Sequence, residues 1–211
     1  ESMSQERRAV LSAYGADLLL TPAASGMAGA VSRAEELVRE IPAAFMPNQF
    51  ENPGNPWAHE MTTGPEILLA LKGQAPYAFV AGVGTGGTLS GTGRCLRRAF
   101  PGIRIIAVEP AKNPVLSGGE AGPHGIQGIG ANFVPKNLEV GLVDEVRKVS
   151  DEEAFETTRW LAREHGLLCG ISTGANVAAA FAAAQAIGGW GVVVTVSPDR
   201  GDKYLSTGLF G

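Results

Sequence analysis

Apolar side chains recur along this chain at two spacings, and the two spacings take turns. Residues 4–13 read as helical and stop at Gly15, and the apolar run ADLLLT that follows reads as a short strand. Ala30, Ala34, Leu37, Val38 and Ile41 return at helical spacing until Pro42 ends the run. PWAHEMTTGPEILLALKG reads as helical, with Thr63 and Glu66 spaced as a capping box partway along. PYAFVAG then predicts a strand, TLSGTGRCLRRAF a helix and IRIIAVE a second strand, together a βαβ unit. After an irregular, glycine-rich stretch over 111–135 comes the strand DEVRKVS. Ser150 and Glu153 box-cap a helix that ends at Gly166. A strand LLCG, a helix from about Thr173 and a strand GVVVTVS complete the series.

Strands alternating with helices predict an α/β fold: an open, mostly parallel sheet with helices on both faces. Polar and proline content rises sharply over NQFENPGNP, residues 48–56, which marks the one plausible boundary. It divides the chain into 1–47 and 48–211. The opening is odd, because a helix and then a strand come first, as if the strand that should begin that unit were missing. That a helix simply comes first is the plain alternative, at about even weight.

Composition narrows the function classes. The 211 residues are 45% hydrophobic and 18% charged, as in ordinary globular proteins, and the net charge of −4 gives no footprint for a polyanion, so nucleic acid is not expected as a partner. Cys95 and Cys169 have no metal-ligand spacing and make no disulfide framework, and no metal is expected. VAAAFAAAQAIGGW, the longest apolar run, is too interrupted to span a membrane. No signal peptide is visible, and the chain begins at Glu1 rather than Met, which reads as a cut end.

Four motifs could carry chemistry. Gly82-Val83-Gly84-Thr85-Gly86-Gly87 follows a strand and precedes a helix, as a GxGxxG dinucleotide fingerprint does, and Glu109 ends the next strand where a ribose-binding acid belongs. The pattern by itself reports only an anion at a helix N-terminus, and it suits a lone phosphate equally well. Gly170-Ile171-Ser172-Thr173-Gly174 matches a nucleophile elbow, but His59, His124 and His165 all precede Ser172, so no base follows in the required order. Ser172 or Thr173 as a helix cap, or a second anion site there, are the readings left, and they weigh equally. Arg200-Gly201-Asp202 falls where a βα loop is expected, so an adhesion tripeptide is discarded. GPHGIQGIGANFVP, residues 122–135, is too glycine-rich for a regular element and too apolar for a solvated tail, and Ile126, Ile129 and Phe133 suggest that it packs.

Taken in order, NQFENPGNPWAHEMTTGPEI, FVAGVGTGGTLSGTGR, VEPAKNPVLSGG, GPHGIQGIGANFVPKNLEVGLVDEV, GLLCGISTGANVAAA and PDRGDKYLSTGLF resemble the later part of the cysteine synthase (O-acetylserine sulfhydrylase) family. The resemblance runs essentially from Glu1 to Gly211. It implies a fold-type II pyridoxal 5'-phosphate enzyme, with 48–211 as the larger, cofactor-phosphate-binding domain and 1–47 as an incomplete part of the smaller mobile one. In the complete enzyme it implies β-replacement, making L-cysteine from O-acetyl-L-serine and sulfide with release of acetate. The cofactor phosphate falls on Gly84, Thr85, Gly86, Gly87 and Thr88, and substrate on Gln49 and on Gly128 within GIQGIGA. None of the lysines (Lys72, Lys112, Lys136, Lys148, Lys203) matches the family's Schiff-base position, so the catalytic lysine is unknown here and the chain is expected to be inactive without an N-terminal segment. A first helix and strand without neighbours should leave an exposed sheet edge.

The sequence departs from the family in one place. Many members read PSSGERYLST where this chain reads PDRGDKYLST, and a serine hydroxyl there partners the pyridine nitrogen. Asp199 and Arg200 stand here instead, which resembles the B-type enzymes and leaves Ser197, or the backbone near Pro198, to face that nitrogen. A guanidinium has no acceptor atom, so Arg200 is expected to turn toward solvent or a carboxylate. The family also implies a cytoplasmic homodimer, with serine acetyltransferase as a further partner. The alternatives are a cystathionine β-synthase or serine/threonine dehydratase type of lyase, a dinucleotide-binding domain, and a non-catalytic binding module.

Overall fold

The computed structural model describes residues 4–188 and 190–211. Four parallel strands, β1 (Ala78–Gly82), β2 (Arg104–Pro110), β3 (Glu145–Val149) and β4 (Val193–Thr195), form one sheet in the order β3-β2-β1-β4. Ala78 and Val80 of β1, with Ile106 and Val108 of β2, enter one apolar cluster; Phe79 and Ala81, with Ile105 and Ala107, enter another. Both faces are therefore covered, as the apolar strand sequences predict. Helices α6 (Asp151–His165) and α7 (Ile171–Ala186) cover the first face through Ala154, Ile171, Ala175 and Ala179. Helices α4 (Thr63–Leu71) and α5 (Gly87–Ala99) cover the second through Ile67, Leu68, Leu89 and Leu96. Helix α3 (Gly54–Met61) packs on α5.

Several expectations hold to the residue. Ser150 Oγ accepts the Glu153 N–H at 3.1 Å while the Glu153 carboxylate accepts the Ser150 N–H at 2.8 Å, so the capping box forms, and α6 ends at Gly166 in the left-handed region. Others fail for local reasons. Residues 16–21 make no strand, and Leu18, Leu19 and Leu20 are exposed, because no neighbouring strand pairs with them; the expected sheet edge is absent there. LLCG contributes a single antiparallel bridge, Cys169 to Arg200, rather than a strand. The predicted long helix breaks at Thr62 into α3 and α4, and the Thr63–Glu66 box does not form, since Thr63 Oγ1 faces His59 Nδ1 at 2.9 Å. Helix α7 begins at Ile171 with Gly170 as its N-cap and no side-chain cap, so Ser172 and Thr173 lie inside its first turn.

The first two described helices, α1 (Gln5–Ala13) and α2 (Gly26–Glu40), bury no residue. Helix α1 docks instead on the 3-10 turn Gly201–Thr207. Glu6 accepts from the Ser206 N–H at 2.7 Å and its hydroxyl at 2.8 Å, and Arg7 donates to Tyr204 Oη at 2.7 Å, Asp199 Oδ2 at 3.1 Å and Gln127 Oε1 at 2.8 Å.

Candidate functional site

The carboxyl ends of β1 and β4 open onto one edge, where ligands bind in open α/β sheets. Asn176, buried on α7, holds these two ends together: its Oδ1 accepts the Gly82 N–H at 2.7 Å and its Nδ2 donates to the Val196 carbonyl at 2.9 Å.

Beyond β1 the chain turns through Val83–Gly86 into α5, whose N-cap is Gly86 at φ 81°. Among the described residues, no protein acceptor meets the N–H groups of Gly84, Thr85 or Gly86. Three successive free N–H groups at the positive end of a 13-residue helix make an anion cradle. The glycines also answer to protein neighbours. A Cβ on Gly84 would lie 2.4 Å from the Gly128 carbonyl oxygen, and one on Gly87 would lie 1.9 Å from Asn55 Oδ1. Thr88 Oγ1 lies 3.1 Å from His59 Nε2. Burial holds the His59 imidazole below its ordinary pKa of 6.5 and so favours the neutral ring.

The segment 122–135 crosses this edge in an ordered path. Gly130 N–H donates to the Val83 carbonyl at 3.0 Å, Ile126 is fully buried, Ile129 nearly so, and Phe133 meets Phe50 edge-to-face at 5.1 Å between centroids. Gly128 therefore sits against Gly84 on one side and near Ser172 on the other. Gln49 is exposed, and its carbonyl accepts from Asn55 Nδ2 at 2.8 Å and Asn137 Nδ2 at 2.9 Å, which anchors its loop beside the cradle. Ser197 Oγ lies 3.0 Å from Thr173 Oγ1 at the end of β4. The predicted residues thus form one patch: Gln49 reaches Thr85 through Asn55, Gly84 touches Gly128, and Ser197 pairs with Thr173.

Around Ser197 the charges are occupied elsewhere. Arg200 is 82% exposed and pairs with Asp202 at 3.2 Å. Asp199 Oδ2 accepts from Arg7 and from Tyr204 Oη at 2.8 Å, while its Oδ1 is buried without a partner among the described residues. Burial, and then the Asp199 carboxylate, push the Tyr204 phenol up to about 12, so it stays a donor. Glu109 does not wait for a ribose: its buried carboxylate accepts from the Leu116 N–H at 2.7 Å and from Ser117 Oγ at 2.5 Å, closing its own loop. All the lysines are exposed, with Lys112 and Lys136 paired to Asp151 and Glu51.

Asn55, Asn137, Asn176 and Arg7 are the functional neighbours that sequence reasoning missed. For Asn176 a signal existed: an asparagine inside an alanine-rich helix is disfavoured unless its amide is used. The residue identities of Asn55, Asn137 and Arg7 carry no such mark.

The fold is a parallel α/β sheet with a turn of free N–H groups at its carboxyl edge, and over residues 1–199 the chain matches the family model described as pyridoxal-phosphate dependent enzyme. The chain belongs to that family. It is 52% identical over 210 residues to the cysteine synthase of Staphylococcus aureus strain N315, covering all of this chain and 67% of that protein. The O-acetylserine dependent cystathionine beta-synthase from Helicobacter pylori superposes with a TM-score of 0.95 at 44% identity, covering 100% of this chain and 68% of that one. Cysteine synthase (OASS) from Entamoeba histolytica superposes at 0.90 with 39% identity, covering 99% of this chain and 62% of that one.

Proposed function

We propose that this chain carries the cofactor-phosphate and substrate-facing parts of an enzyme that makes L-cysteine from O-acetyl-L-serine and sulfide. The observation that carries the reading is the cradle: three free N–H groups at Gly84–Gly86, with Thr85 and Thr88 beside them, fit the phosphate of pyridoxal phosphate. When bound, that cofactor supplies an electron sink for charge formed at the substrate α-carbon. The residues of this chain bind and orient. Gly84–Thr88 would hold the phosphate, the Thr173–Ser197 hydroxyl pair would serve the ring nitrogen, and Gln49 and Gly128 would face the substrate. Arg200 is turned to solvent and Asp202, which supports the reading that Ser197 would partner that nitrogen.

A Schiff-base lysine is activated by burial and by its neighbours, and all five lysines of this chain are exposed. The full reaction therefore needs an amine that these lysines do not supply. Assembly as a homodimer, docking of serine acetyltransferase and a cytoplasmic setting are further inferences that rest on the family alone; among the described residues, no helix is long and apolar enough to cross a membrane.

A second reading is favoured by one observation, the 0.95 superposition on a protein whose donor is also O-acetylserine. It keeps the donor and changes the sulfur acceptor from sulfide to homocysteine. The test is to fuse the chain behind the first third of the S. aureus cysteine synthase and supply pyridoxal phosphate and O-acetylserine with either acceptor. Cysteine as the main product supports the proposal, and cystathionine as the main product supports the second reading. Neither product, in a fusion that folds, overturns both.

A further inference from the structure

Among the described residues, Asn55 is the side chain of α3 that hydrogen-bonds both the Gln49 loop and the cradle. Its Nδ2 lies 2.8 Å from the Gln49 carbonyl and 2.9 Å from Thr85 Oγ1. A carbonyl oxygen only accepts, so the atom facing it is the amide NH2, and the orientation of the amide is settled by chemistry. That group has two hydrogens, and the two contacts use both.

Thr85 Oγ1 accepts from Asn55 and also from the Gly87 N–H at 3.3 Å. A hydroxyl has two lone pairs and one proton. With both lone pairs taken, the proton is what Thr85 still offers, and Thr85 is only half-buried beside the free N–H groups of the cradle. We propose that Asn55 is a positioning residue that fixes the Thr85 hydroxyl as a donor toward the cofactor phosphate, and ties that donor to the placement of Gln49. Gly87 has its place in this device. A Cβ there would overlap Asn55 Oδ1, so the fourth glycine of the turn makes room for an asparagine rather than for an anion. The inference rests on the cradle being the phosphate site.

The experiment uses the 211-residue chain and titrates inorganic phosphate and pyridoxal phosphate by calorimetry, with pyridoxal as the probe without a phosphate. Variants are Asn55→Ala, the isosteric Asn55→Asp, Thr85→Val, Thr85→Ser and the Asn55/Thr85→Val doubles, each checked by circular dichroism and thermal melting. Loss of a hydrogen bond to a charged group weakens phosphate by about ten-fold in Asn55→Ala. Asn55→Asp weakens it more, because the carboxylate draws the Thr85 proton to itself. Thr85→Ser retains binding. On the Thr85→Val background, Asn55→Ala changes affinity by less than about two-fold, since the hydroxyl it orients is gone. A merely structural role for Asn55 gives the same loss with or without the hydroxyl, and that result overturns the proposal while leaving the cradle standing. Wild-type affinity in both Asn55 variants does the same. A wild-type chain that binds pyridoxal as well as its phosphate and ignores inorganic phosphate removes the cradle reading, and this inference with it.

Discussion

Gly84→Ala separates two reasons for a glycine in the cradle. Gly84 does not have a positive φ, so alanine can adopt its backbone, and the cost is set by what the new methyl meets. That neighbour is the Gly128 carbonyl oxygen, 2.4 Å from the ideal Cβ and roughly 1 Å inside the ~3.5 Å of a comfortable contact. The oxygen belongs to backbone that is pinned two residues later by the Gly130 N–H bond to Val83, so it cannot swing aside as a side-chain tip would. Forced overpacking of this kind costs about 1–3 kcal/mol. For a chain of this length each kcal/mol lowers the melting midpoint by roughly 2–4 °C, so the expected fall is about 5 °C. The assay is thermal and urea unfolding of the ligand-free chain, with Gly102→Ala as control because a Cβ there meets nothing within 4 Å. The control stays within about 0.5 kcal/mol of wild type. If Gly84→Ala unfolds like wild type without ligand and loses only phosphate affinity, the glycine serves the anion alone and the packing argument is wrong.

Two further outcomes follow from the site. Incubated with pyridoxal phosphate and then borohydride, the 211-residue chain should show no saturable labelling of a single lysine by mass, only scattered reaction of exposed amines, and make no cysteine from O-acetylserine and sulfide; stoichiometric labelling of one lysine, with turnover, would overturn this. The His59 pKa is lowered in the fold, so as pH falls from 6.5 the unfolded chain takes up a proton that the fold resists, and stability drops in that window. Glu60, held below its ordinary 4.5 by hydrogen bonds from Arg94 and Arg98, gives a separate loss at lower pH. His59→Gln should flatten the first loss and leave the second; an unchanged profile above pH 5 would show that His59 does not titrate with folding.

What the sequence made legible follows from how local each interaction is. The Ser150–Glu153 box and the Gly166 stop lie within or beside one helix, and β1, α5 and β2 lie next to one another along the chain, so spacing was enough. ADLLLT looked like a strand because an apolar run carries no information about whether a partner strand exists. Thr63 met the spacing of a cap, yet its hydroxyl went to His59, a competition that spacing does not describe. Glu109 sat at the right place for a ribose, and only the fold showed its carboxylate closing residues 116–117. The cradle itself was visible as a glycine cluster, but the amides that arrange it come from positions 30 or more residues away in either direction, as Asn55 to Thr85 and Asn137 to Gln49 illustrate.

The docking of α1 has a consequence for the order of events during synthesis. Helix α1 has nine residues and buries none of them, and a helix that short does not persist alone in water. Besides Gln127, its anchors are Asp199, Tyr204 and Ser206, far along the chain, Arg7 and Asp199 being 192 residues apart. At about 5–20 residues per second a ribosome needs roughly 10–40 s to bring the second partner out after the first. Through that interval β1, α5, β2 and β3 can assemble in turn, while of these side-chain partners α1 has at most Gln127 to meet. Helix α1 is thus placed after the helices that follow it along the chain, and a pause or nick before residue 199 leaves it without these anchors beside a sheet that is otherwise largely built.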